Sequence, residues 1–234
     1  MSILLTPDSD LPTLPLAPAP WSLTGSGYIL MVKLPASVLD DPRHVPPELR
    51  GKRSGKYATV MLVDYEDSAV GPYRELLYIP GKFPFKGGPR TKNYQSITRI
   101  YVSSMESVVN GRRNWGIPKD VASFDYRYGV DGIDRFDTSL DGKTFASFTF
   151  KPGKLKWPFS TAMVPNALLQ LAQLHGGQQF VYAPSASGKL QFAKLLDWSF
   201  DSTLFPDLSQ GKVVACVKVA RFTMGFPVSV VTPA

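Results

Sequence analysis

The stretch "VASFDYRYGVDGIDRFDTSLDGKTFASFTFK", residues 121–151, decides the fold class. Apolar and polar residues alternate along it with the period of two that is typical of a strand with two different faces. The alternation is interrupted at Asp131-Gly132 and again at Asp141-Gly142, and Asp-Gly pairs favour the tight turns of β-hairpins. The stretch therefore predicts three successive strands that pair antiparallel, as a meander.

Strand-like runs also occupy most of the rest of the chain. Aromatic residues make up 12% of the composition, and 21 Pro and 19 Gly supply turns, a mixture that favours strands over a helical bundle. The further predicted strands are 27–34, 57–66, 73–81, 95–104, 179–184, 190–200 and 212–224. About nine strands, with no internal repeat and no linker, indicate one antiparallel barrel or sandwich.

Few segments are predicted to be helical or irregular. Residues 105–115 are predicted to form a helix, with Ser103 and Glu106 as its capping box. The apolar segment 164–174 is predicted to form the longest regular helix. The segment 81–93, which contains Gly and Pro at several positions, is predicted to be a loop.

The N-terminal residues 1–20 contain five prolines and are predicted to be an irregular arm. We expect this arm to lie over the domain formed by residues 21–234 or over a neighbouring subunit. The arm has no basic region of the kind that begins a signal peptide, and no segment has the length of a membrane span. A cytoplasmic location without a membrane contact is therefore expected.

The rare residue types exclude several kinds of site. Cys216 is the single cysteine, which excludes an internal disulfide, and its alternating surroundings predict a buried structural thiol. His44 and His175 are the only histidines, so a histidine-built metal site or a Ser-His catalytic apparatus is not expected. The net charge of +7 comes from scattered residues without a nucleic-acid-binding signature, and it is equally compatible with anionic substrates.

The stretch "NGRRNWGIPKDVASF", residues 110–124, places a proline directly before Lys119. In a turn this lysine would be a solvated charge. If it is buried or lies beside another cation, its pKa falls and the neutral amine becomes a nucleophile. Arg112 and Arg113 precede it, and apolar residues flank it, so the sequence leaves both alternatives open.

Glu75, in the stretch "GPYRELLYIPG", is the second candidate. If Leu77 points inward from this strand, Tyr73 and Glu75 point inward too, and an inward carboxylate needs a partner such as an amine. In the alternative register Arg74 and the residues that alternate with it point inward, and Glu75 is solvated. A shift of one residue exchanges the two faces, so the alternation does not decide between them.

Together the two stretches resemble the acetoacetate decarboxylase family, which has a Tyr-x-Glu strand followed by a Gly-Arg…Gly-aromatic-Pro-Lys-Lys segment. The resemblance implies a mainly β (α+β), single-domain fold, an antiparallel β-barrel or cone-like sheet with a few short helices. It also implies that Lys119 forms an imine with a carbonyl substrate and that Glu75 moves the protons. The side chains expected to contact the substrate are Lys33, Tyr73, Arg112, Arg113 and Trp115, with Lys33 near the family's basic residue for the substrate carboxylate.

The chain departs from the family pattern beside the lysine. Asp120 stands in place of the second lysine, Arg113 in place of a glutamate, and Ile117 in place of the aromatic residue. A second family glutamate falls near Val60 and is absent. Asp120 would raise the pKa of Lys119, but in an extended segment its side chain points to the opposite face. We therefore expect burial to activate Lys119, with help from Arg113.

These features predict a lyase that works through a covalent imine on Lys119, without a metal or other cofactor. After the imine forms, the same site can support decarboxylation, aldol chemistry, dehydration or cyclisation. The alternative is a barrel that binds a small hydrophobic carbonyl compound without turning it over. The resemblance also implies a homo-oligomer, whereas no nucleic-acid partner is expected.

Overall fold

A computed structural model describes residues 4–86 and 90–234 of the chain. These residues form sixteen strands and three short α-helices. The strands are β1 (Trp21–Lys33), β2 (Tyr57–Asp67), β3 (Tyr73–Ile79), β4 (Lys82–Lys86), β5 (Thr91–Gln95), β6 (Arg99–Val102), β7 (Lys119–Val121), β8 (Ser123–Tyr128), β9 (Asp134–Leu140), β10 (Lys143–Pro152), β11 (Trp157–Ser160), β12 (Leu171–His175), β13 (Gln178–Tyr182), β14 (Ser185–Phe200), β15 (Lys212–Phe226) and β16 (Val230–Pro233). The helices are α1 (Ala36–Leu39), α2 (Met105–Trp115) and α3 (Asn166–Leu169).

The larger sheet is strongly curled into a half-barrel, which confirms the predicted mainly β, single-domain fold. Its strand order is β7-β6-β3-β2-β1-β15-β14-β10-β9-β8, and β11 pairs with β14. The pairing is antiparallel except between β6 and β7, and the predicted meander forms β8, β9 and β10. Only Ala122 separates the two end strands, β7 and β8, in the chain, so the sheet curls until its ends meet beside the Lys119 segment.

A second sheet of five strands, in the order β16-β13-β12-β5-β4, corrects two sequence-based predictions. The predicted loop 81–93 contains β4 and β5, and its residues 87–89 lie outside the described part of the chain. Phe83 and Phe85 point into a buried cluster, and Pro84 is tolerated between them because β4 is an edge strand.

The predicted helix 164–174 is also wrong. Only α3 is helical there, and the chain then continues as β12, which pairs with β13 across the Gly176-Gly177 turn. An apolar run of this length fits either a helix or a strand, and hairpin pairing with β13 decides for the strand. The longest helix is α2 instead.

Helix α2 begins one residue later than its predicted capping box. Ser104 is the N-cap, and its hydroxyl accepts a hydrogen bond from the N–H of Ser107 at 3.2 Å. Ser103 accepts the N–H of Arg74 instead, at 2.8 Å, which joins the helix start to β3. The helix ends at Gly116, whose φ of 63° is a left-handed conformation that favours glycine.

Two apolar cores lie on opposite faces of the large sheet, and β3 is buried on both. Leu76 and Tyr78 belong to one core, whereas Tyr73 and Leu77 belong to the other. Glu75 shares the second face and is only 3% exposed. The register with an inward Glu75 is therefore the correct one, and the alternative with a solvated Glu75 is wrong.

The N-terminal arm lies against α2 of its own chain. The N–H of Ala17 donates to the side chain of Asn110 at 2.8 Å, and Arg112 donates to the carbonyl of Thr6 at the same distance. Cys216 is buried, and burial raises the pKa of its thiol to about 12, as expected for a structural residue. In residues 4–86 and 90–234, no helix has the length and apolar character needed to cross a bilayer.

Candidate active site

Lys119 and Glu75 form an ion pair inside the second core. The amine Nζ of Lys119 lies 3.0 Å from Oε2 of Glu75, and both side chains are almost completely buried. The strand order explains the contact, because β6 pairs with β3 on one side and with β7 on the other. A parallel β7 beside β6 thus brings residues 44 positions apart in the sequence to the same point.

A third polar group completes the contacts of the amine. Nζ also donates to the hydroxyl of Ser107 on α2 at 3.0 Å, a residue that the sequence analysis did not identify. The sequence did contain a clue to Ser107, because it lies four residues before Gly111 and residues at that spacing share a helix face. Two tyrosines surround the pair: Nζ lies 5.0 Å from the ring centroid of Tyr73, and the hydroxyl of Tyr65 lies 3.5 Å from Oε1 of Glu75.

The pKa of Lys119 is shifted upward, whereas the sequence analysis expected burial to lower it. Burial lowers the pKa of the amine, but the negative charge of Glu75 and the interaction with Tyr73 outweigh burial and raise the pKa above its ordinary value. Burial raises the pKa of Tyr73 to about 12, against the opposing effect of the Lys119 charge, so its phenol is neutral. In the resting site Lys119 is therefore an ammonium ion and Glu75 is its counter-ion.

Gly111 makes room for the lysine side chain. A Cβ atom at this position would lie 2.8 Å from Cδ of Lys119 and 2.9 Å from Cε, closer than van der Waals contact. The side chain of Lys119 therefore crosses α2 at a position without a side chain and continues to Ser107. This packing explains a glycine in the interior of the helix, where it costs about 1 kcal/mol relative to alanine.

Arg112, an expected substrate contact, does not line the small cavity at the Lys119 amine. Its Nε and Nη2 donate to the backbone carbonyl of Lys119 at 3.0 and 2.6 Å. Nη1 donates to Asp8 of the arm at 2.8 Å. All of these contacts hold protein groups, so Arg112 positions the backbone of Lys119 and anchors the arm.

Asp120 points away from the amine, as the alternation of an extended segment predicted. It is 1% exposed and lies 3.1 Å from Nη2 of Arg112 and 3.5 Å from Nη1 of Arg99. It also accepts the N–H groups of Leu5 and Thr6. Two arginines neutralise its charge, and Glu75 rather than Asp120 is the acid beside the lysine.

The cavity at the amine is small, with a volume of about 20 Å³. A volume of about 10–15 Å³ holds one water molecule, so a substrate requires the walls to move. The cavity is lined by Trp21, Leu23, Tyr73, Glu75, Leu77, Ile97, Ile100, Trp115, Ile117, Lys119 and Phe226. The expected contacts Tyr73 and Trp115 are thus beside the amine.

Lys33 and Arg113, the other two expected substrate contacts, do not line this cavity. Lys33 is exposed at the end of β1 because alternate residues of that strand face solvent there. Arg113 is exposed because it lies on the outer face of α2, so it is not the cation that activates the lysine. Among the described residues that line the cavity, Lys119 is the one cationic side chain.

Glu75 is the one carboxylate among the cavity-lining residues that the structure describes. Val60, near the place of the family's second glutamate, belongs to the opposite core, and Asp64 is bound to Arg74 at 3.2 Å. The cross-strand neighbour of Glu75 is Val63. Within the described part of the chain, no three His, Cys, Asp or Glu side chains are grouped so that they could hold a metal ion.

Comparisons with known proteins agree with this architecture. The family model described as acetoacetate decarboxylase (ADC) matches residues 14–213. The acetoacetate decarboxylase of Legionella pneumophila subsp. pneumophila str. Philadelphia 1 is 14% identical, with a TM-score of 0.63 over 94% of this chain and 91% of that chain. An acetoacetate decarboxylase-like enzyme from Sphingomonas wittichii RW1 is 12% identical, with a TM-score of 0.63 over 92% of this chain and 93% of that one.

A third structure with the same fold is the enduracididine biosynthesis enzyme MppR complexed with pyruvate. It is 14% identical, with a TM-score of 0.60 over 100% of this chain and 97% of that chain. The search of curated proteins finds no match. At identities this low, the structural similarity shows a shared fold alone. The family model, by contrast, matches most of the chain. The chain belongs to the acetoacetate decarboxylase family.

Proposed function

We propose that this protein is a lyase that forms a Schiff base between Lys119 and a small carbonyl substrate, with Glu75 as the proton carrier. The observation that carries the proposal is the 3.0 Å contact between Nζ of Lys119 and Oε2 of Glu75 in a closed, mostly apolar cavity. Perturbed titratable pairs of this kind are concentrated at functional sites.

The pair supplies both the nucleophile and the acid. Transfer of one proton from the ammonium to Glu75 gives a neutral amine and a carboxylic acid. The amine attacks the carbonyl carbon and forms a carbinolamine, with a proton moving from nitrogen to oxygen. Glu75 then protonates the hydroxyl, water leaves, and a protonated iminium and a carboxylate remain.

The carboxylate of Glu75 is then available as a base. Removal of a proton from the carbon next to the iminium gives an enamine, which adds to a second carbonyl group in aldol addition or cyclisation, or expels a β-hydroxyl group in dehydration. In retro-aldol cleavage the carboxylate instead takes the proton of a β-hydroxyl group, the C–C bond breaks, and an enamine and a second carbonyl compound form. In a β-keto acid, loss of CO2 gives the same enamine. MppR, which shares the fold, has been crystallised with the condensation product of pyruvate and imidazole 4-carboxaldehyde, a compound of the aldol type, and this supports the first group of reactions.

A second candidate function is binding of a carbonyl compound without turnover. The raised pKa of Lys119 favours it, because an ammonium ion is not a nucleophile. In this alternative the ion pair is a structural feature of a binding protein. The two candidates differ in whether Lys119 bonds covalently to the ligand.

Deuterium exchange distinguishes them. In D2O, an enzyme that forms an enamine replaces the hydrogens beside the carbonyl of acetone with deuterium, which NMR measures directly. We expect exchange with the unmodified protein and none with Lys119→Arg, which keeps the charge and loses the nucleophilic amine. Lys212→Arg, at an exposed position on β15, is the matched control and should exchange at the unmodified rate.

Glu75→Gln separates the two roles within the pair. Without the carboxylate, burial lowers the pKa of Lys119 against the weaker opposing effect of Tyr73, so imine formation should persist while exchange of the hydrogens slows by at least tenfold. Equal exchange by the unmodified protein and Lys119→Arg would instead support binding without turnover.

A further inference from the structure

An apolar cavity of about 270 Å³ lies on the same face of the large sheet as Glu75. This volume is near the lower limit of about 300 Å³ for small-molecule sites. Its walls include Met61, Val63, Val219, Phe222 and Met224, and the described residues that line it carry no charged side chain. An apolar cavity of this size suits a hydrocarbon chain or ring rather than a charged group.

The apolar cavity is one residue away from the amine cavity. Val63 lines the apolar cavity and is the direct cross-strand neighbour of Glu75. Met224 also lines it and is the direct neighbour of Leu23, which lines the amine cavity. Side chains in such pairs have Cβ atoms about 5 Å apart, so a molecule with its carbonyl at Lys119 would extend into the apolar cavity.

The partition between the two cavities is adaptable. The hydroxyl of Tyr65 lies 3.5 Å from Oε1 of Glu75, which lines the amine cavity, and 4.0 Å from the sulfur of Met224, which lines the apolar cavity. Methionine has an unbranched, flexible side chain that repacks easily. Movement of Met224 therefore provides the room that the amine cavity of about 20 Å³ lacks.

A surface groove of about 680 Å³ provides a route to the apolar cavity. Thr161, Pro184, Ala186 and Met224 line both spaces, so the groove borders the apolar cavity and a ligand would pass between them at these residues. Hydroxyl side chains are abundant along the groove, as in Ser22, Ser160, Ser185, Ser187 and Thr223. Neutral polar walls of this kind do not select for a charge.

The charges of the side chains that line these spaces favour neutral over anionic carbonyl substrates. Among the described residues that line the groove and both cavities, Lys119 is the only cationic side chain, and Glu75 already neutralises it. A carboxylate that entered this region would lose its hydration without gaining a cationic partner, which is costly. Lys33, the expected partner of such a carboxylate, is exposed elsewhere.

We propose that the substrate is a neutral ketone or aldehyde whose apolar chain or ring lies in the cavity formed by Met61, Val63, Val219, Phe222 and Met224 while its carbonyl reaches Lys119. The substrate class rests on the proposed function, and the cavity's preference for neutral apolar ligands is testable without it. A binding measurement on a variant that cannot form an imine therefore separates the two.

The test uses the double variant Lys119→Met with Glu75→Gln, which removes the charged pair together. Calorimetry measures its binding of acetone, methyl propyl ketone and methyl pentyl ketone. Each added methylene that leaves water should tighten binding about fourfold. Methyl acetoacetate should bind at least tenfold more tightly than acetoacetate, which carries a negative charge and lacks the ester methyl group; the methyl group alone accounts for about fourfold.

Filling the cavity should abolish the chain-length effect. Ala186→Phe, added to the double variant, places a ring in the shared opening, and Ala186→Leu is a milder version in case the ring prevents folding. Ala215→Phe, on an exposed part of β15, is the matched control and should keep the effect.

Three results would overturn the proposal: equal affinity for all three ketones, an unchanged chain-length effect in folded Ala186→Phe or Ala186→Leu, or tighter binding of acetoacetate than of its ester. A failure of deuterium exchange in the unmodified protein, with the chain-length effect intact, would overturn the lyase function and leave the neutral apolar site standing.

Discussion

The side chain of Lys119 packs directly against Gly111, so that a Cβ atom on Gly111 would lie 2.8 Å from Cδ of Lys119. The side chain of Lys119 therefore passes α2 at this position and contacts Ser107 and Glu75. This relationship gives the family-like Gly-Arg segment a physical meaning. The glycine admits the lysine side chain, and the arginine that follows holds the lysine carbonyl.

Gly111→Ala should destabilise the protein by about 1–3 kcal/mol, although the same change in an exposed helix stabilises by about 1 kcal/mol. The added methyl group pushes against the buried chain of Lys119 and lengthens its contact with Glu75. Urea denaturation measures the change in the free energy of unfolding. Arg113→Ala, on the exposed face of the same helix, should change it by less than about 0.5 kcal/mol. A stabilised Gly111→Ala would contradict the packing.

The Lys119–Glu75 pair should behave as a coupled unit. Lys119→Met or Glu75→Gln alone leaves an unpaired polar or charged group in the core and should cost about 3–5 kcal/mol. The double variant removes both and should cost much less than the sum of the two. Denaturant unfolding of the four proteins gives the coupling free energy directly. Additive losses would show that the two side chains do not interact in solution.

Asp120→Asn should loosen the N-terminal arm without changing the charge state of Lys119. The substitution removes the anion that pairs with Arg112 and Arg99 and that accepts the N–H groups of Leu5 and Thr6. We expect the free energy of unfolding to fall by about 3–5 kcal/mol and proteolysis within the arm to become faster. Mass spectrometry of the first cleavage products locates the cut. An arm that stays protected would show that Asp120 does not hold it.

His44 should make the protein less stable in weak acid. It is buried, its Nε2 lies 3.0 Å from the carbonyl oxygen of Ser202, and burial lowers its pKa from 6.5 to about 4. The unfolded chain therefore binds a proton between pH 6.5 and 4 that the folded protein excludes, so stability falls as the pH decreases through this window.

The lowered pKa of His44 corresponds to a loss of about 3 kcal/mol in the free energy of unfolding between pH 6.5 and 4. His44→Gln keeps a donor for the Ser202 carbonyl and does not titrate. The variant should therefore lose less stability than the unmodified protein between pH 6.5 and 4, as measured by unfolding at a series of pH values. Parallel curves for the two proteins would show that His44 is solvated.

Much of the fold and the central pair could be predicted from the sequence. Period-two alternation and two Asp-Gly turns predicted the β8–β9–β10 meander because a two-sided sheet imposes that period. Residues 171–175 were wrongly predicted to be helical because a short apolar run fits either a helix or a strand, and its pairing with β13 across the Gly176-Gly177 turn makes it a strand.

The roles of the charged residues were harder to predict. Arg112 matches the family pattern, but its direction is set by the arm and by the carbonyl of Lys119, neither of which is visible in a motif. The pKa of Lys119 was expected to fall on burial. The pKa rises because the fold also brings Glu75 to 3.0 Å from the amine, and the effect of this charge outweighs that of burial. The two residues lie in different segments, so the sequence does not show the distance between them.

Borohydride reduction in the presence of methyl pentyl ketone, followed by peptide mass spectrometry, shows whether Lys119 forms a Schiff base with a ketone. An imine on the reactive amine becomes a stable secondary amine that carries the ketone's carbon skeleton. We expect one modified peptide, with the label on Lys119 and no label in Lys119→Arg. An unlabelled Lys119, or equal labelling of several exposed lysines, would contradict it.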